Sequence, residues 1–237
     1  SRGLGLAVVA ELMKDPENAV VATARNTKQS SGLQELVAKY SSNRLKVITM
    51  DISDSASVEK AVEEVTTVLP SGIDCLIHNG AISLQPTSSF AEIDLTLLEQ
   101  EFRVNTIGPL RVARAFLPLV RKSTQKKIVY ISSTLGSIAA SPTWIGLSDA
   151  YSLTKAALNM HWGSALNAEG ITTILINPGW LDTDMGRTLD DLISQRFSWV
   201  PKLSADESAV SCIRIIKQAK LEDTVGFYNY DGTLIPW

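Results

Sequence analysis

The stretch Ser1-Arg2-Gly3-Leu4-Gly5 runs directly into the apolar positions Leu6, Ala7, Val8, Val9, Leu12 and Met13. Two glycines two apart, followed by apolar residues at helical spacing, read as a phosphate-binding turn that opens a helix. Glycine lets the backbone approach an anion closely, and the first N–H groups of the helix, which have no partner within it, face that anion. Such a turn needs a scaffold. In an open α/β sheet it follows a buried parallel strand, so the remaining chain is read for strands alternating with helices.

That alternation is present. NAVVATARN (residues 18–26) is a β-rich run, followed by a helical pattern over about 32–40 and by RLKVITMDISD (44–54), a second strand ending in aspartate. Next come a helix over about 55–68, the strand IDCLIHNGA (73–81), two helical stretches within 94–121 and the strand KIVYISS (127–133). A helix over about 150–168, the strand ITTILINPG (171–179), an irregular segment over 182–202, a helix over 205–220 and a last strand near 225–230 complete the chain. The order implies right-handed crossovers, a mostly parallel sheet and helices on both faces. Ligands of such sheets sit at the carboxyl ends of the strands, where Arg25, Asp51, Asn79, Ser132, Ser133, Asn177, Pro178 and Gly179 collect.

At 237 residues, with 45% hydrophobic and 20% charged residues, the chain suits one domain over 1–237 with a large core. A net charge of -3 without a basic block argues against a nucleic-acid partner. Apolar runs fall short of the roughly 18–20 residues that span a membrane. No signal-peptide pattern opens the chain, so a cytoplasmic location is expected. Cys75 and Cys212 lie in apolar patterns and are expected to be buried free thiols. His78 and His161 lack metal-ligand companions at suitable spacing, so both are read as structural and no metal site is expected.

The most specific constellation is Tyr151-Ser-Leu-Thr-Lys155. Residues four apart stand one above the other on a helix, so the ammonium approaches the phenol. A cation there favours the phenolate and lowers a pKa that is otherwise near 10, toward the range of general acid–base work. Upstream, IVYISSTLGS ends a strand in two serines, and Asn105 lies in FRVNTIGPLRVARAFLP, where its carboxamide is expected to join a water chain reaching the lysine. Downstream, NPGWLDTDM supplies a Pro-Gly turn that brings backbone close to a flat ring.

These pieces, in this order and over essentially the whole chain, resemble the short-chain dehydrogenase/reductase family. The gap between Ser133 and Tyr151, the run PGWLDTDMG and the ending GFYNYDGTLIPW are most similar to its C-factor/Sniffer group of carbonyl reductases. The resemblance implies a Rossmann-type, doubly wound parallel sheet, a nicotinamide cofactor and hydride transfer to a ketone or aldehyde. It also implies that Tyr151 is the proton donor, that Lys155 lowers its pKa and binds the nicotinamide ribose, that Ser133 orients the carbonyl and that Asn105 completes the tetrad. On the cofactor side it assigns Ser1, Arg2, Gly3, Leu4 and Gly5 to the phosphates, and Asp51 and Ile52 to the adenine. Asn79, Gly80 and Ala81 fall to the crevice floor; Pro178, Gly179, Trp180, Leu181, Thr183 and Met185 fall to the nicotinamide end. Where the family has Asn-Asn-Ala-Gly, this chain has His78-Asn79-Gly80-Ala81, which places a Cβ beside the cofactor at a position that is usually bare.

An acidic residue at the end of the second strand of such a fold would repel a 2′-phosphate, but that place holds Arg25, with Arg2 in the turn. Two guanidiniums suit a phosphate dianion, so NADPH/NADP+ is the expected cofactor. Trp144, Ile145, Trp180, Phe197 and Trp199 are expected around the pocket mouth, with 182–202 as a lid over an apolar or aromatic carbonyl substrate. Many relatives pair the helices at 105–121 and 150–168 into a homodimer. The family pattern T-G-x-x-x-G-x-G places Ser1 and Arg2 at its last two variable positions, so a strand and turn of about ten residues are expected to precede Ser1. A catalytically silent NADP(H) sensor is the competing reading; intact Tyr151 and Lys155 speak against it.

Overall fold

In the computed structural model, which describes every residue except His161 and Trp162 and gives Ser164 by its backbone only, the expected strand and helix order is found. It runs α1 (Gly3–Leu12), β1 (Val20–Ala24), α2 (Ser31–Lys39), β2 (Leu45–Thr49), α3 (Ser55–Val68), β3 (Cys75–His78), α4 (Leu95–Phe102), α5 (Gly108–Lys122) and β4 (Lys127–Ile131). It continues with α6 (Asp149–Asn159), α7 (Gly163–Asn167), β5 (Thr172–Asn177), β6 (Trp180–Leu181), α8 (Asp184–Arg187), α9 (Asp190–Arg196), β7 (Lys202–Leu203), α10 (Ala205–Gln218) and β8 (Phe227–Asn229).

Local chemistry sets several of these boundaries. Asp54 caps α3 by accepting from the Ala56 N–H at 3.1 Å, and Asp94 caps α4 through the N–H groups of Thr96 and Leu97. Ser204 and Glu207 form a reciprocal capping box at the start of α10. Between α4 and α5 the helix does not stop but widens into a π-turn, Arg103–Ile107, with Asn105 inside it.

The main sheet is parallel throughout and comes in two pieces, β1-β2 and β3-β4-β5-β8, beside a small β6-β7 pair. Among the described residues β1 pairs only with β2 and the far side of β3 carries no ladder. α1 joins the two pieces: Leu4, Ala7 and Val8 pack with Val129, Ile131, Ile174 and Ile176, while Val9 and Met13 pack with Ala22 of β1. α10 adds Ala209, Cys212, Ile213 and Ile216 to the same layer. On the opposite face, Val58, Ala61 and Val65 of α3 meet Val112, Phe116 and Leu119 of α5 over Ile48 and Met50. β5 is buried along its whole length, as a central parallel strand covered on both faces must be.

Three expectations need correction. The helix expected over 150–168 is two segments, because Met160 closes α6 with ψ 59, outside the helical range; His161 lies outside the described residues. The segment 182–202 is not irregular but contains α8 and α9 and leads into β7. Both cysteines are free, yet only Cys212 is fully buried; Cys75, on the singly paired strand β3, is half-buried. Among the described residues no helix is long and apolar enough to cross a membrane.

Candidate functional site

α1 begins without a side-chain cap, so the N–H groups of its first turn point outward from the turn that Gly3 and Gly5 form. Gly3 has φ +52, a left-handed conformation that favours glycine, and a Cβ built on it would lie 3.3 Å from Thr183 Cγ2. A Cβ on Gly5 would lie 2.6 Å from Asn79 Nδ2. The turn therefore touches both the segment after β3 and the segment after β6, and a side chain at either glycine would fill the cradle. Uncapped N–H groups, the positive end of the α1 dipole and bare glycines fit the pyrophosphate of a dinucleotide.

Leu4 itself is buried in the core beside Ala7, so what it offers a ligand is backbone. Ser1 accepts from Ser30 Oγ with its carbonyl. Arg25 is exposed at the end of β1 and its side chain makes no hydrogen bond or ion pair among the described residues. Asp51 accepts from Ser53 Oγ at 2.6 Å and Ser53 N–H at 2.8 Å, and the Ser53 hydroxyl, with Arg25 and Arg103 nearby, holds its carboxyl below the usual range. Ile52 packs against the bare Gly108, where a Cβ would come within 3.0 Å. A Cβ on Gly80 would make ordinary contact with Ile52 at 3.5 Å, so the altered Asn79-Gly80-Ala81 stretch leaves room on that side. His78 is buried in a stack on Tyr130, centroids 4.7 Å apart, and burial lowers its pKa to about 3, so the ring is neutral.

Tyr151 and Lys155 stand on one face of α6, with Lys155 Nζ 5.4 Å from the Tyr151 ring centroid. Lys155 is buried, and its ammonium donates to the carbonyl of Ile131, the last residue of β4, at 2.8 Å. That bond fixes the pair at the carboxyl end of the sheet. Gly136 makes the close approach possible, since a Cβ there would lie 2.7 Å from the Lys155 carbonyl carbon. Ser133 is half-buried, and its Oγ accepts from the Leu135 N–H, capping a short turn; the neighbouring Ser132 is buried and donates to Asn159 at 2.5 Å. Of the two serines, Ser133 is thus the one with exposed surface.

The electrostatics differ from the expectation that Lys155 acidifies the phenol. Burial, with Glu101 adding to it, pushes the Tyr151 pKa above its ordinary value, and burial pulls that of Lys155 down to about 7. Desolvation penalises both charged forms, and at the phenol it outweighs the neighbouring cation. Asn105 also departs from expectation. Its carboxamide accepts from Ile82 N–H at 2.8 Å and donates to Ile82 O at 2.8 Å and to Thr154 Oγ1 at 3.0 Å, so both of its N–H donors are spent on protein and none is left for a water chain to the lysine.

Around it, sequence reasoning missed a set of positioning groups. Glu101 Oε1 accepts from Leu84 N–H at 2.5 Å, and Ser148 Oγ donates to Pro86 O at 3.0 Å. Alternate residues 82, 84 and 86 are thereby held by side chains of the π-turn, α4 and the start of α6. Ser148 sits at φ 55, and Glu101 Oε2 is buried without a hydrogen-bond partner. A glutamate at helical spacing before an asparagine gives no signal in sequence that it faces inward.

After β5, Gly179 turns the chain at φ +87, and the Pro178 carbonyl accepts from the buried Ser208. Trp180 donates to Gly186 O and lies under Lys202 Nζ, 5.3 Å from its centroid. Leu181 is buried, Thr183 caps α8 through the Gly186 N–H, and Met185 is exposed. Phe197, expected at the pocket mouth, is only 3% exposed and packs with Leu147 and Ile193, its ring 5.2 Å from Trp144 and 5.5 Å from Trp199. It faces the interior and not the pocket mouth, because Leu147, Ile193, Trp144 and Trp199 enclose it. Trp144 and Trp180 are half-buried, whereas Ile145 and Trp199 are exposed.

A parallel sheet covered on both faces, with glycine turn, Tyr/Lys pair and Pro-Gly turn at one edge, defines a Rossmann-type α/β protein. Residues 1–192 match the family model described as short chain dehydrogenase, and the chain belongs to this family of oxidoreductases. Its relatives include the short chain dehydrogenase gsfK of Penicillium aethiopicum, 34% identical over 100% of this chain and 96% of that protein. Among solved structures it is similar to the NADPH-bound carbonyl reductase from chicken fatty liver, with TM-score 0.88, 31% identity and coverage of 100% and 95%. It is also similar to the carbonyl reductase Sniffer of D. melanogaster, with TM-score 0.86, 27% identity and coverage of 100% and 96%.

Proposed function

We propose that the protein is an NADPH-dependent carbonyl reductase in which Tyr151 gives the proton that completes an alcohol. The observation that carries this reading is the Tyr151/Lys155 pair, 5.4 Å from ring centroid to ammonium, anchored on Ile131 O at the carboxyl end of β4. Bound NADPH supplies the hydride. The N–H groups of Gly3, Leu4 and Gly5 hold its pyrophosphate, Arg2 and Arg25 take the 2′-phosphate, and Asp51 and Ile52 flank the adenine. Asn79, Gly80 and Ala81 lie along the crevice, and Pro178, Gly179, Trp180, Leu181, Thr183 and Met185 bound the nicotinamide end.

Ser133 orients the substrate carbonyl, and Tyr151 donates its phenolic proton to the carbonyl oxygen as the carbon is reduced. A phenol whose pKa lies above its ordinary value stays protonated at neutral pH, as a donor must. Lys155 binds the nicotinamide ribose and returns charge balance when the phenol is spent. Asn105 acts on this pair by position, through Thr154. The 182–202 segment is the lid, with Trp144, Trp180 and Trp199 available to an apolar substrate. The exposed Ile107, just before α5, and Leu153, on α6, suit a homodimer surface.

The test is NADPH consumption with a panel of aromatic ketones, aldehydes and quinones. Tyr151→Phe should lose about 10²–10⁴-fold in kcat while binding NADPH as tightly as the unaltered protein. Equal turnover by both would refute the proton-donor role, and NADPH binding without turnover of any carbonyl would favour the silent sensor.

A further inference from the structure

The phosphate turn and the lid are joined by an ion pair that the reaction does not require. Arg2 Nη1 donates to Asp184 Oδ2 at 2.7 Å, and both side chains are more than half exposed. Asp184 opens α8 directly after Thr183, whose methyl group lies against Gly3. The carboxylate is held from both sides, since its Oδ1 accepts from Arg187 Nη2 at 2.8 Å. Arg187 also binds Asp182, which together with Asp190 binds Lys202. Three acids and three bases therefore form one chain, with Arg2 at its end. Withdrawing Arg2 leaves the chain with a net negative charge, whereas Arg25 makes no hydrogen bond or ion pair among the described residues.

We propose that Asp184 is a specificity-determining residue of the dinucleotide site, which holds Arg2 on the lid and so sets how much of that guanidinium a cofactor phosphate obtains. This rests on the reductase reading above, because it needs a dinucleotide to compete for Arg2. A guanidinium offers its paired N–H donors to one carboxylate or to one phosphate, so Asp184 and the cofactor are alternatives for the same group. An exposed pair is weak enough for a phosphate dianion to win, and strong enough to reduce the affinity it gains.

The experiment is a fluorescence titration of NADPH, and separately NADH, into the unaltered protein, Asp184→Asn, Arg2→Ala and the double variant, without substrate. Asp184→Asn should tighten NADPH binding about threefold, the size an exposed ion pair allows, and should not tighten it in the Arg2→Ala background. A gain with NADPH that NADH does not share supports competition at the 2′-phosphate, and an equal gain with both dinucleotides overturns the specificity role. Unchanged binding in Asp184→Asn, or an equal gain with and without Arg2, overturns the inference and leaves the reductase reading intact. Unaltered protein that binds neither dinucleotide overturns both.

Discussion

Asn105 Nδ2 lies 3.0 Å from Thr154 Oγ1, and by this bond the π-turn after α4 grips the helix that carries Tyr151 and Lys155. The same carboxamide closes a two-bond pair with the backbone of Ile82, so one side chain fixes the crevice segment and the reactive helix relative to each other. Asn105→Leu fills the volume but leaves the Ile82 N–H and C=O and the Thr154 hydroxyl without it. The expected cost is about 2–4 kcal/mol, read from urea denaturation, and turnover should fall in the folded fraction as well.

Lys155 gives stability a pH dependence of its own. Its pKa falls from 10.5 in the unfolded chain to about 7 in the fold, so between these values the unfolded chain holds more protons. Stability therefore rises with pH across that window, by up to about 1.4 kcal/mol per pH unit from this group. Below pH 7 the burial penalty is fully present. Denaturation of Lys155→Met at a series of pH values should lack this slope.

Glu101 acts in the opposite sense. Burial raises its pKa above 4.5 against the hydrogen bonds from Leu84 and Gln85, and Oε2 has no partner. The fold thus holds the proton longer than the unfolded chain does, and stability contributed below pH 4.5 is lost as pH rises through the folded value. Glu101→Gln keeps an acceptor for Leu84 and should flatten that decline, measured as the difference in denaturation midpoint between acid and neutral pH.

Gly136→Ala would press a Cβ against the Lys155 backbone, 2.7 Å from its carbonyl carbon and 2.9 Å from its oxygen. Backbone cannot swing aside as a side chain does, so α6 must move. A loss of about 1–3 kcal/mol in thermal or chemical denaturation is expected, with a drop in kcat larger than any change in NADPH affinity.

The alternation of strands and helices, the polar strand ends and the Tyr/Lys pair were legible because each rests on local pattern: period, turn residues and spacing along one helix. Groups whose meaning depends on the far partner were not. Phe197 reads as a lid aromatic, and only the packing of Leu147 and Ile193 around it places it inside. The carboxamide of Asn105 reads as a proton-relay group until Ile82 and Thr154 are seen to occupy it. The phenol was expected to be acidic because spacing reveals the neighbouring cation, while the desolvation that outweighs it is a property of the assembled cleft. Glu101 and Ser148 gave no warning, since an isolated glutamate or serine in sequence normally belongs to solvent.

The widened turn Arg103–Ile107 inserts one residue into what would otherwise be an unbroken rod from Leu95 to Lys122. Each residue of an α-helix advances about 100° around the axis. The widened turn absorbs its extra residue by winding less per residue, whereas excising a single position between residues 108 and 111 would rotate everything beyond it by roughly a quarter of a revolution, swinging Val112, Phe116 and Leu119 off the sheet and into water. Chain length here is a phase setting, and a deletion that looks trivial on paper would undo an entire layer.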